Sequence, residues 1–253
     1  MRAVARLLGS ELAEVTCVEC GRYQAQLPAG YQNTPVGQYA GMTIHESQSL
    51  FLEMQLCRSK EFIEWVVPQL CSVVLHGKPE ARHEMTADAL LPLYRNVKPG
   101  LIRVVADEVT YPLHVIMRYK LERAMIDGEL AVEDLPGAWN EYMMRYLGVA
   151  PAQDDHGVGC MQDLHWYMGF FGYFPSYTMG AMAAAQLFQQ AQESVPGVLQ
   201  DVGSGRFERV MSWLGDNVHA KGARLGTQGL LQDVTGSTLS ATAFKQHLIT
   251  RYA

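Results

Sequence analysis

Met42-Thr43-Ile44-His45-Glu46-Ser47-Gln48-Ser49 sets a histidine beside a carboxylate at the start of an apolar run with helical spacing. Leu50, Phe51, Met54 and Cys57 carry that stripe onward. Phe62, Trp65, Val66, Leu70, Val73 and Val74 continue it in steps that keep one helical face apolar, with Pro68 placed to kink the helix. Thr43 and Glu46 also have the spacing of a capping box. The residues alone therefore leave Glu46 two readings, a cap for the Thr43 amide or a ligand. Two further polar clusters sit in apolar surroundings: Ile102-Arg103-Val104-Val105-Ala106-Asp107 and Gly159-Cys160-Met161-Gln162-Asp163-Leu164-His165-Trp166. Helices need none of these groups to fold, so the three clusters together point to one polar site.

The remaining chain supports an all-α class. Arg2 to Val15 has helical spacing, and Gln26 to Gly41 reads as an irregular loop. A helix is expected from Pro79 to about Tyr94, with Pro suited to the first turn. A long helix is expected from Leu101 to about Ile126, in which Arg103 and Asp107 share a face as an ion pair. Further helices are expected from Asp134 to Gly148, Tyr177 to Glu193 and Phe207 to Ala223, then a glycine-dotted connection from Gly222 to Gly236 and a last helix from Leu239 or Ser240. No alternating strand pattern occurs.

Composition narrows the function. A chain of 253 residues with 48% hydrophobic residues can fill a sizeable core, and a net charge of −6 with no basic run argues against nucleic acid. No apolar run approaches a membrane span, and no secretory signal is evident. Five cysteines suit a reducing compartment, so the cytoplasm is expected. Cys17 and Cys20 read as two thiols at a helix end, the alternative being a metal or redox pair. Asp154, Asp155 and His156 read as a solvated loop. The aromatic stretch from Trp166 through Phe170, Phe171, Tyr173 and Phe174 to Tyr177 builds core or lines a cleft.

His45-Glu46-Ser47-Gln48-Ser49, Ile102-Arg103-x-x-Ala106-Asp107 and Gly159-x-x-Gln162-Asp163-x-His165-Trp166 resemble, in this order, the motifs of the carboxypeptidase Taq family of zinc metallocarboxypeptidases. The resemblance runs from about residue 26 to 253, through Gly172-Tyr173-Phe174-Pro175-Ser176-Tyr177-Thr178 to the final helix, and leaves residues 1–25 poorly matched. It implies a single helical domain like the C-terminal half of a zincin-like helical enzyme. It also implies release of single residues from peptide C-termini, zinc or another divalent metal such as cobalt, a peptide with a free C-terminus as partner, and a homodimer. By resemblance Glu46 is a metal ligand, Arg103, Gln162, Asp163, Tyr173 and Tyr177 bind or support substrate, His165 is catalytic, and His45 and Asp107 orient neighbours.

The family's metal grip is a His-Glu-x-x-His helix, in which histidines one turn apart hold zinc and the Glu activates water. Here its best match is Val18-Glu19-Cys20-Gly21-Arg22. The base position is kept as Glu19, while valine and arginine stand where the histidines would be. Valine has no donor atom and arginine repels a cation. The expectation is a truncated, catalytically impaired relative in which metal binding is doubtful. The alternatives are a non-catalytic peptide-binding relative and a Cys17/Cys20 metal or redox protein.

Overall fold

The structure, a computed structural model, describes residues 18–74, 85–152 and 157–253, the side chains of 18–20, 73 and 74 excepted. Its helices are α1 (Val18–Ala25), α2 (Met42–Leu50), α3 (Lys60–Val74), α4 (Ala87–Tyr94), α5 (Tyr111–Ile126), α6 (Leu135–Leu147), α7 (Pro175–Ser194), α8 (Val198–Val202), α9 (Glu208–Asn217), α10 (Gly226–Thr235) and α11 (Thr242–Tyr252). There is no strand among the described residues, and the chain is all-α as its apolar spacing implies. No described helix is long and apolar enough to cross a membrane. The helices gather into two compact units, one of residues up to Tyr94 with Met179–Ala253, the other Arg95–Thr178; the boundary falls within α7.

In the first unit α2 passes directly into a π-helical segment, Phe51–Leu56, whose wider turn keeps Phe51, Leu52, Met54, Gln55 and Leu56 all buried. Of the stripe expected in α3, Phe62 and Val66 are buried and Trp65 and Leu70 partly so, while Ile63 and Val67 complete the buried face. Helix α7 presents Ala181, Ala183, Ala184, Ala185 and Ala191 to the core. Its Gly180 meets α2 so closely that a Cβ there would lie 2.8 Å from Cβ of Glu46, so only glycine permits this approach. Helix α10 lies within the segment read from sequence as a glycine-dotted connection. Its Leu230 and Leu231 are fully buried, and that apolar pair outweighs the glycines around it.

In the second unit α5 and α6 pack through Met117, Leu121, Leu135, Trp139, Met143 and Leu147. The long helix expected from Leu101 begins only at Tyr111. Residues Arg103–Val105 form a 3-10 turn instead. Asp107 explains the break, because its carboxylate accepts the N–H groups of Val109 (3.0 Å) and Thr110 (2.8 Å), the Thr110 hydroxyl (2.9 Å) and the Lys98 N–H (3.0 Å). An aspartate holding nearby backbone donors in this way competes with helix continuation. The expected helix starts at Arg2 and Pro79 lie outside the described residues, as do Cys17 and the Asp154-Asp155-His156 loop.

Candidate functional site

Two of the three polar clusters meet in the second unit. The 3-10 turn delivers Arg103, and the irregular stretch after Gly157 delivers Gln162, Asp163 and His165. Asp163 stands between two buried guanidinium groups. Arg103 donates through Nε (3.1 Å) and Nη2 (2.7 Å), and Arg118 of α5 through Nε (2.7 Å). Arg103 also donates from Nη1 to the Tyr111 hydroxyl at 3.0 Å and from its backbone N–H to Oε1 of Gln162 at 2.9 Å. Arg118, wholly buried, adds Oε1 of Gln162 (2.7 Å) and the His114 carbonyl (2.9 Å), and lies 4.5 Å over the Trp139 ring. Gln162 then donates to the carbonyls of Val158 (2.8 Å) and Leu101 (3.0 Å).

Electrostatics follow from this geometry. Burial raises the Asp163 carboxyl, but the Arg103 hydrogen bond and the charges of Arg118 and Arg103 outweigh it and hold it below the ordinary value. Burial lowers Arg118 to about 10, with Asp163 offsetting part of the effect, so it stays charged at neutral pH. Arg103 is raised, because its bond to Asp163 overrides its burial. The expected Arg103 and Asp107 pair is thus replaced by Arg103 and Asp163, and Asp107 serves the backbone. Nε and Nη2 of Arg103 are committed to Asp163 and Nη1 to Tyr111.

His165 sits beside this network. Its Nε2 is 2.9 Å from the Tyr177 hydroxyl, its ring centroid is 4.3 Å from that of Phe174 and 5.3 Å from that of Tyr173, and its buried Nδ1 has no hydrogen-bond partner. Burial, then the Arg103 charge, lowers its pKa, so the imidazole is neutral at pH 7. The Arg103 guanidinium lies over the ring of the same Tyr177, 4.6 Å from its centroid. A neutral imidazole coupled to a tyrosine beside fixed positive charge is suited to hydrogen-bonding a carbonyl or carboxylate oxygen.

Two residues of this wall escaped the sequence reading. Arg118 is one, and Glu122 is the other. Glu122 is buried and accepts the indole N–H of Trp166 (2.8 Å) and the backbone N–H of Gly172, closing the loop that follows His165. Their signal was a polar stripe, His114, Arg118 and Glu122, each four residues apart on one face of α5. Glu122→Gln is expected to cost about 1–3 kcal/mol, because the amide can accept only one of the two N–H groups without opposing donor to donor. Thermal unfolding of the variant beside the parent checks this, and unchanged melting would show the tie to be dispensable.

The first cluster belongs to the first unit. His45 and Glu46 lie within α2, which begins at Met42 with Gly41 as N-cap (φ 101°) and no side-chain cap. Thr43 is therefore inside the helix, and the capping-box reading of Glu46 does not hold. His45 packs its ring 5.0 Å from Tyr39 and 6.2 Å from Tyr23, centroid to centroid. Burial lowers its pKa against the raising effect of Glu46. The Tyr23 hydroxyl accepts the Ala40 N–H at 3.0 Å, and burial pushes its pKa up to about 12. His219 is wholly buried, with Nε2 2.9 Å from Oε1 of Gln48 and Nδ1 2.6 Å from Oε1 of Gln26. Val18 and Arg22 are one turn apart on α1, with Glu19 between them. No three His, Cys, Asp or Glu side chains among the described residues form a metal-ligand set.

Comparison with known proteins agrees with this arrangement of motifs. The family model for carboxypeptidase Taq (M32) metallopeptidases matches residues 17–252. Carboxypeptidase 1 of Bacillus subtilis is 38% identical over 240 residues, which is 94% of this chain and 47% of that protein. Thermostable carboxypeptidase 1 of Thermus thermophilus is 39% identical over 91% of this chain and 44% of its own length. Among solved structures, Trypanosoma cruzi metallocarboxypeptidase 1 superposes with a TM-score of 0.84 at 38% identity, covering 92% of this chain and 48% of that one. The magnesium apo form of the Pyrococcus furiosus carboxypeptidase gives 0.83 at 33% identity. With motifs, helices and sequence in agreement, this chain belongs to the carboxypeptidase Taq (M32) metallopeptidase family and spans about half the length of the relatives it matches.

Proposed function

We propose that this chain is a metallocarboxypeptidase homologue that keeps the family's peptide-facing wall and has lost its metal grip, so that by itself it does not hydrolyse peptides. The observation carrying the reading is Val18-Glu19-Cys20-Gly21-Arg22 at the start of the family match. The family implies a divalent metal held by paired histidines, and the residues here do not fit one. Valine offers no lone pair and Arg22 brings a fixed positive charge, one that also contributes to the lowered pKa of His219. Glu46 then remains as a lone carboxylate ligand, and Glu19 as a base without metal-bound water to act on. Zinc in the relatives' chemistry, a cytoplasmic location and a homodimer belong to the same reading.

Hydrolysis of a blocked dipeptide with added zinc or cobalt tests it. The expected result is no release of the C-terminal residue above the protein-free rate. Turnover comparable with that of the Bacillus subtilis relative, assayed alongside, overturns the loss of catalysis.

The intact His165 and Tyr177 pair favours retained peptide binding as the accompanying role. In this reading His165, Tyr177 and Tyr173 meet the peptide, while Arg103, Gln162 and Asp163 hold them in place and His45 and Asp107 support their own elements. Titration with short peptides bearing free or amidated C-termini is expected to show tighter binding of the free acid. Equal or absent binding of the two forms removes it.

A further inference from the structure

The second half of α7 turns two sides to different surroundings. Ala184, Leu187 and Ala191 are buried in the core, while Gln186, Gln189, Gln190 and Glu193, spaced three and four apart, form one wall of a cleft of about 390 Å³. The facing wall is Ser237, Ser240 and Thr242, from the loop between α10 and α11 and the first turn of α11. All of these residues belong to the first unit.

Buried and bonded glutamines hold that loop wall in shape. Gln186, itself buried, donates from Nε2 to the Ser237 hydroxyl and the Thr238 carbonyl, both at 3.1 Å, and its Oε1 accepts the Ser240 N–H at 2.8 Å. Gln232 donates to the Gly236 carbonyl at 2.7 Å, and Gln228 accepts the Leu239 N–H at 2.9 Å. With the loop fixed in advance, little ordering entropy is left to oppose a ligand.

The lining selects by its chemistry. Amides and hydroxyls both give and accept hydrogen bonds, so several ligand hydroxyls can be met at once. No residue of the lining is basic, so a phosphate or carboxylate finds no counter-charge there. None is aromatic, so a nucleobase or apolar ring finds no stacking face. Glu193 is the one charged residue of the lining; it is exposed, and no described residue forms an ion pair with it. The volume stands at the lower end of those that hold small ligands.

We propose that this cleft binds a polyhydroxylated amine, of which an amino sugar is the simplest case. Its hydroxyls exchange hydrogen bonds with Gln189, Gln190 and the facing Ser and Thr hydroxyls, and its ammonium pairs with Glu193. The site uses none of the residues of the peptide wall, so the inference holds whether or not the chain binds or hydrolyses peptides.

Saturation-transfer NMR titrations of the full chain with glucosamine, glucose and gluconate test it. Glucosamine is expected to bind with a Kd on the order of 1 mM, the range open to so small and polar a ligand. Glucose is expected to bind about threefold more weakly, the worth of one exposed ion pair, and gluconate to give no transfer. Glu193→Gln is expected to bring glucosamine to the level of glucose, and Gln189→Ala to weaken both about fivefold. Gln189 and Glu193 are exposed, so both variants should melt like the parent. Absence of glucosamine binding overturns the proposal. So does glucosamine held no better than glucose, gluconate held as well as either, or binding that neither substitution changes.

Discussion

Asp163→Ala is expected to destabilise the protein by about 3–5 kcal/mol, because it leaves Arg103 and Arg118 buried side by side with no counter-ion. Both guanidiniums direct Nε at this carboxylate, at 3.1 and 2.7 Å, and their side chains are 6% and 0% exposed. Their desolvation is unrelieved once the carboxylate is gone, and their mutual repulsion adds to it. Such a loss is a large share of the roughly 5–15 kcal/mol that holds a typical protein folded. Urea unfolding followed by near-ultraviolet dichroism reads the loss, with Trp139 and Trp166 reporting from the second unit and Trp65 and Trp213 from the first. Arg118→Met is expected to be milder, since Asp163 keeps Arg103 and the apolar chain can fill the space beside Trp139. Equal damage from the two substitutions, or an Asp163→Ala variant that unfolds with the parent, would show that the carboxylate does not neutralise the pair. The same network predicts its own acid limit. The Asp163 pKa is depressed in the fold, so its contribution is full above the ordinary carboxyl value near 4 and disappears as pH falls below it.

What the sequence disclosed and what it withheld divide along one physical line. Apolar periodicity is local, and it placed α3, α6 and α7 close to where they fold. Polar pairing in a core is not local. Arg103 has Asp107 four residues away, yet its partner is Asp163, and nothing in the spacing of either residue announces the other. The helix expected to unite Arg103 and Asp107 fails because Asp107 spends its oxygens on backbone N–H groups, a competition that composition does not rank. Motif resemblance supplied what spacing withheld, since it linked the second and third clusters, and the two are bonded directly through Arg103, Gln162 and Asp163. It did not reach Arg118 or Glu122. These were legible in principle, since a basic and an acidic residue at helical spacing on the buried face of α5 each require a partner from elsewhere.

Stability is expected to fall steeply between pH 6.5 and 4, and the cause is a pair of histidines that the fold holds neutral. His219 and His114 are both wholly inaccessible, and both are lowered to about 4. For His219 the causes are burial and then the Arg22 charge; for His114 they are burial and then the charges of Arg118 and Arg103. Hydrogen bonding fixes one side of the His219 ring. The Gln48 amide N–H₂ donates to the Ser47 hydroxyl (2.8 Å), which turns its Oε1 to His219 and makes Nε2 of His219 the donor. Nδ1 faces Oε1 of Gln26 at 2.6 Å, so a neutral ring requires that amide turned over, with its N–H₂ toward Nδ1. The unfolded chain, with ordinary histidines near 6.5, binds protons that the folded chain refuses. Stability is therefore full above about pH 6.5, is lost as pH falls toward 4, and changes no further on this account below that. At about 1.4 kcal/mol per unit, each site accounts for on the order of 3 kcal/mol across the window. Urea midpoints at several pH values within this window give the slope, and His219→Gln is expected to remove one proton's share of it. Because His219 belongs to the first unit and His114 to the second, His219→Gln should protect the first and leave the acid loss of the second in place. A midpoint that stays level through the window would show that the buried imidazoles accept protons as readily folded as unfolded, and the packing around Gln48 and Arg118 would need another description.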